Sequence, residues 1–130
     1  MNSFKLSFAQ INLLNEHIAE VIVNEGIELN MSMVEEYHAF LLSHLKPPFS
    51  LLINKINAYT YTFEAQKNIA NLTEIQALAV ISYNKVTSIT TRQLASFPRN
   101  TRWNLQIFSD KTDALNWLKT EQELLQGKTN

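Results

Sequence analysis

The chain has no cysteine, two glycines and three prolines in 130 residues, and each shortage removes a class of protein. Without cysteine there is neither a disulfide framework nor a thiolate metal site. Two glycines, Gly26 and Gly127, cannot build a Gly-rich phosphate loop. Charge of one sign is also missing. Eleven Lys and Arg stand against twelve Asp and Glu, and the net charge of −1 gives no global pull towards nucleic acid or anionic membrane. No apolar run approaches the roughly 20 residues that span a bilayer. The start, Met1-Asn-Ser-Phe-Lys-Leu-Ser-Phe8, lacks the basic end and unbroken apolar core of a signal peptide, so the cytoplasm is the expected location.

What is present is apolar patterning. Hydrophobic residues make up 45% and charged residues 18%, which is enough to bury a core and too apolar for disorder; at this length a single domain over 1–130 is expected. Phe4, Leu6 and Phe8 alternate with polar partners, and so do Ile11 and Leu13, but with opposite parity. That predicts one long strand with a bulge near Ala9-Gln10, or two short strands. Asn15-Glu16-His17 then turns the chain into an antiparallel partner, Ile18 to Val23. A helix begins near Met31, capped by Asn30 or by Ser32 with Glu35. Val34, Tyr37, Leu41 and Leu45 share one face of it, and Pro47-Pro48 ends it.

The apolar run Phe49 to Ile53 is a central strand, and Asn54 to Thr62 is its exit loop. A helix from about Phe63 to Leu72, a strand from Ile75 to Ser82, and a helix capped by Asn84 and running towards Phe97 follow. Pro98 breaks that helix before a last strand, Trp103 to Phe108, and an amphipathic helix opens at Ser109-Asp-Lys-Thr-Asp113. The expected class is α/β in the order ββαβαβαβα, an open, mixed, mostly parallel sheet with an antiparallel N-terminal hairpin and helices mainly on one face. Val34, Leu41, Leu45, Ile69, Leu94, Leu115 and Leu118 are expected to cover that face, and Trp117 to cover the last strands.

The hairpin start, the helix closed by Pro47-Pro48 before Phe49-Ser-Leu-Leu-Ile-Asn54, the run Ala77-Leu-Ala-Val-Ile81 and the ending Phe108-Ser-Asp-Lys-Thr-Asp-Ala-Leu-Asn-Trp-Leu118 resemble the SpoIIAA-like, or STAS-like, small domains (sulphate transporter and anti-sigma-factor antagonist). The resemblance spans nearly the whole chain. It implies a sheet layered against helices and a non-enzymatic regulatory or protein-interaction role. The anti-sigma-factor antagonists carry a phosphorylatable serine, usually after an aspartate, at the start of the helix that follows the third strand. The matching stretch here, Asn54 to Thr62, holds Thr60 and Thr62 but neither serine nor aspartate, so a switch would fall to one of those threonines.

The residues suggest no catalytic set, cofactor or metal. Glu35-Glu-Tyr-His38 holds one Glu-x-x-His step, whereas a di-iron centre needs two. Asp110 and Asp113 stand where a helix start wants acids for capping. No acidic residue occurs from Ile75 to Ser109, which contains Lys85, Arg92, Arg99 and Arg102, so one face is expected to be basic and to suit an acidic partner or a phosphate group. The other candidate site is the loop set at the carboxyl ends of the parallel strands, where open α/β sheets bind ligands. Asn57, Tyr59, Thr60, Thr62, Tyr83, Asn84 and Lys85 fall there. A pocket for a small anionic or amphiphilic ligand is the alternative to a protein partner, on a layout shared with the CRAL-TRIO lipid-binding domains. A homodimer covering a sheet edge or face is also expected, without nucleic acid or a membrane span.

Overall fold

Alternation at Phe4 and Leu6 builds only a short strand, β1 (Ser3–Lys5), before the chain turns at Ser7 and Phe8 into β2 (Ala9–Asn15). The computed structural model describes residues 2–98 and 103–127, with side chains to 124. Glu36 pins the turn by accepting hydrogen bonds from the Ser7 N–H and hydroxyl, while the Phe8 ring is buried beside Tyr37. The parity change near Ala9-Gln10 is therefore a turn between two short antiparallel strands and not a bulge. The irregularity lies further on, between Leu13 and Asn15, where β2 pairs with β3 (Ile18–Val23).

There follow β4 (Glu28–Leu29), α1 (Met31–His44), β5 (Phe49–Asn54), β6 (Thr60–Tyr61), α2 (Phe63–Asn68), β7 (Ile75–Ile81), α3 (Lys85–Ala95), β8 (Leu105–Phe108) and α4 (Lys111–Gly127). Each helix start has a side-chain acceptor for its free amides. Asn30, Thr62 and Asn84 accept from the N–H groups of Met33, Ala65 and Thr87, and Asp110 accepts from those of Thr112 and Asp113. Since Asn30 caps α1, Ser32 already lies inside the helix. The helix α2 stops at Asn68, short of the expected Leu72, because Ala70 takes a left-handed φ of 55°. The Ala70 N–H donates to His38 Nε2 at 3.0 Å, and its carbonyl accepts from Trp103 Nε1 at 3.0 Å.

The main sheet runs β1-β2-β3-β5-β7-β8, antiparallel through β3 and parallel beyond it. A two-stranded parallel sheet of β4 and β6 sits apart from it. Strand parity sorts side chains onto two faces. Phe8, Ile11, Val21, Phe49, Leu51 and Leu78 join Val34, Tyr37, Leu41, Leu45, Ile69 and Leu94 in the larger core, under α1, α2 and α3. Ile18, Leu52, Ala77, Ala79 and Ile81 face the other way and pack against Ala114 and Leu118 of α4. The helices are thus mainly on one face, and among the described residues α4 alone covers the second.

Leu115 and Leu118, expected beside the others, belong to that second layer. The reason is topological. Helices α2 and α3 cross between parallel strands added in one direction, which places them on one side. No strand follows α4 within the described residues, so no crossover dictates its side. Trp117 does lie over the last strands, with its ring 5.7 Å from Phe108, but is only partly buried.

Candidate functional site

Lys55 is the first residue past β5, and its N–H donates to the Ile81 carbonyl at 3.1 Å, so its backbone is fixed at the carboxyl ends of two central strands. By parity with Leu51 and Ile53 it turns towards α1–α3 instead of out to water, and it is only 9% exposed. Its Nζ donates to the Thr91 hydroxyl in α3 at 3.0 Å and sits 5.6 and 5.7 Å from the ring centres of Tyr59 and Tyr61. Among the described residues no carboxylate lies within 4 Å of this ammonium.

The two tyrosines are held by the small sheet. Thr60 and Thr62 donate their N–H groups to Ile27 and Leu29 carbonyls at 2.9 and 2.8 Å. Asn57 Nδ2 donates to the Val23 carbonyl at 3.0 Å, the Ala58 N–H to Glu25 at 3.0 Å, and the Gly26 N–H to the Ala58 carbonyl at 2.7 Å. That last contact comes from a residue with φ +79°, a conformation suited to glycine. Tyr59 and Tyr61 meet edge to face at 5.6 Å, and the Tyr61 hydroxyl donates to that of Tyr59 at 3.5 Å. Burial and the neighbouring Tyr61 push the Tyr59 phenol well up, and burial does the same to Tyr37, so both remain protonated donors.

Two spaces meet at Lys55. An inner cavity of about 50 Å³ lies within the larger core, bounded by Tyr37, Tyr59, Tyr61, Leu94 and Trp103 as well as by Lys55. An outer cleft of about 510 Å³ opens between the stretch 57–61 and α3, with Val86, Thr87, Thr90 and Leu94 on its far wall. Lys55, Tyr59, Tyr61 and Leu94 bound both spaces.

No family model matches the chain, and no curated protein matches its sequence. A solved structure does match: an uncharacterised protein of the DUF3478 family with a SpoIIAA-like fold, from Shewanella loihica PV-4, aligns over 85% of this chain and 91% of its own with a TM-score of 0.56 and 19% identity. The fold is SpoIIAA-like. At such identity the likeness concerns architecture alone.

On this SpoIIAA-like frame the residues singled out from the sequence part into two groups. Asn57, Tyr59 and Thr60 line the outer cleft, and Thr62 stands beside them with its hydroxyl engaged as the α2 cap. Tyr83, Asn84 and Lys85 do not line it. Asn84 caps α3, Lys85 points outward, and the Tyr83 hydroxyl donates to Asn54 at 2.9 Å. Asn54 lies one residue before Lys55, so its side chain projects from the opposite face of the sheet. There it donates to Glu20 at 3.0 Å.

Glu20 is 3% exposed and also accepts from Asn12 at 3.1 Å and from Lys111 at 3.3 Å. Burial pushes its carboxyl up, but the hydrogen bonds from Asn54 and Asn12 and the Lys111 charge outweigh that and hold it below the usual range. This mid-strand acid is therefore paired and buried instead of solvated. On the basic stretch, Lys85 and Arg92 are exposed along α3; Arg99 and Arg102 lie outside the described residues. His38 of the Glu-x-x-His step accepts the Ala70 N–H, a structural task. Lys55 and Thr91 are outside the set of residues that the sequence marks. The signal was a lysine at the inward parity of Leu51 and Ile53, just past a central strand.

Proposed function

We propose that this SpoIIAA-like protein is a non-enzymatic module that binds a small ligand in the cleft between residues 57–61 and α3. The observation that carries the reading is the junction of inner cavity and outer cleft at Lys55, at the carboxyl ends of β5 and β7, where open α/β sheets take ligands. A cleft of about 510 Å³ lies within the ordinary range for small-molecule sites. Among the described residues the wall of the cleft carries hydroxyl, amide and apolar groups beside Lys55 but neither a histidine nor a carboxylate, which favours binding over turnover.

A regulatory role through a protein partner is the second reading, favoured by the apolar residues beside the cleft. Phe63 at the start of α2 and Val86 at the start of α3 are 67% and 70% exposed. A partner resting on both would contact the two helix starts that flank the ligand. Thr60, exposed in β6, is the more accessible of the two switch threonines, since Thr62 is occupied with its cap. Capture of the same partners by wild-type protein and by Thr60→Glu would remove the switch.

The ligand reading is tested by amide NMR titration with three probes of equal chain length: hexanoate, hexan-1-ol and hexylamine. At least one should shift the resonances of residues 55–61 and 86–94 saturably and leave α4 unmoved. If all three leave those resonances in place, the cleft is not a ligand site.

A further inference from the structure

We infer that the ligand is a small organic monoanion, a carboxylate on an apolar body, and that Lys55 is its counter-charge. The inference rests on the ligand-binding reading and names the class of ligand. Taking an ammonium out of water is costly, and buried charges are normally paired. Lys55 is buried with a single hydroxyl acceptor, Thr91, for its three N–H groups and no carboxylate within reach among the described residues. The faces of Tyr59 and Tyr61 attract the cation but do not neutralise it. If packing were the only task of the position, methionine would fill it without that cost.

Tyr37 supplies a second, independent observation. It is 4% exposed and bounds the same inner cavity, yet its hydroxyl has no hydrogen-bond partner among the described residues. Buried polar groups left alone in this way are uncommon. The Tyr59 hydroxyl accepts from Tyr61 and so keeps its own proton to donate. The wall of the inner cavity thus carries one ammonium and two phenols that keep protons to donate, with too few acceptors. A carboxylate, which only accepts and takes several donors, completes that set, whereas an amine adds donors to it. The head group meets Lys55, which both spaces share, and the apolar body lies against the apolar wall beside it, where Leu94 bounds the inner cavity and the outer cleft alike.

The test compares dissociation constants of hexanoate, hexan-1-ol and hexylamine for wild-type protein and for Lys55→Met. Wild type should hold hexanoate about tenfold or more tighter than hexan-1-ol, the span of a charge-assisted hydrogen bond, with hexylamine weakest. In Lys55→Met the preference should vanish, with hexan-1-ol bound at least as well as before. Equal affinity of wild type for hexanoate and hexan-1-ol overturns the counter-charge and leaves the binding site standing, as does a hexanoate preference that survives in Lys55→Met. Failure of all three probes removes the site itself. The head-group comparison is made on wild type and decides even if the methionine variant does not fold. Tyr37→Phe then serves as the second variant: it should weaken hexanoate and spare hexan-1-ol, and an equal effect on both overturns the inference.

Discussion

At the scale of single residues, Ala70 joins three segments. Its left-handed backbone is tolerated because His38 takes its N–H and Trp103 its carbonyl. His38 can accept that bond only while its ring is neutral. Burial lowers its pKa below the ordinary 6.5, so the unfolded chain binds a proton that the folded one refuses. Stability from this group is fully present above about pH 6.5 and is lost as pH falls below it. Denaturant titrations at pH 7.5 and 5.5 should show wild type losing stability over that interval. His38→Gln, whose carbonyl can accept the same N–H at any pH, should lose less. Glu20 gives the complementary case, because a lowered carboxyl pKa adds stability that is present above the ordinary 4.5 and is lost as pH falls through the folded value. Glu20→Gln should flatten the acid limb below about pH 4.5, read in the same titrations.

Among the elements, α4 stands apart. Leu118 is fully buried between α4 and the second face of the sheet, and the Ser50 hydroxyl donates to Gln122 there at 2.6 Å. Leu118→Ala should cost about 3 kcal/mol in urea unfolding. Trp117→Ala, which removes a partly buried ring resting on Phe108, should cost about 1–2 kcal/mol, less than full burial would demand. Thr62→Ala should cost about 1 kcal/mol by freeing the Ala65 N–H at the start of α2. The sequence made most of these elements legible through local signals: the run Ile75 to Ile81, the cap at Asn84, the stop at Pro47-Pro48. The pair β4 and β6 leaves no local signal, because two-residue strands carry no periodicity and Glu28 meets Thr60 only after a helix and a strand have intervened. The side taken by α4 was equally hidden, since Leu115 and Leu118 mark an apolar stripe without saying which face it covers. Tyr59 and Thr60 were found from loop position. Lys55 was not, because a lysine after a strand ordinarily faces water, and only the tertiary placement of Thr91, Tyr59 and Tyr61 turns it inward.

Across the whole molecule the two sides of the sheet are unequal: three helices and the larger core on one, a single helix over a narrow row of alanines and a few larger residues on the other. The α4 layer should therefore open as a unit below the global free energy. Hydrogen exchange should show α4 amides less protected than those of β5 and β7, and Leu118→Ala should widen that gap with little change in α1. The same division has an optical consequence. The two tryptophans lie on opposite sides, Trp103 on the wall of the inner cavity and Trp117 in the α4 layer, so emission from each indole reports one half of the protein. Trp117→Phe leaves a single indole within the ligand-facing core, and Trp103→Phe leaves one in the α4 layer. With those two variants, filling of the cavity and detachment of α4 are followed as two separate indole emissions, readable without any attached dye.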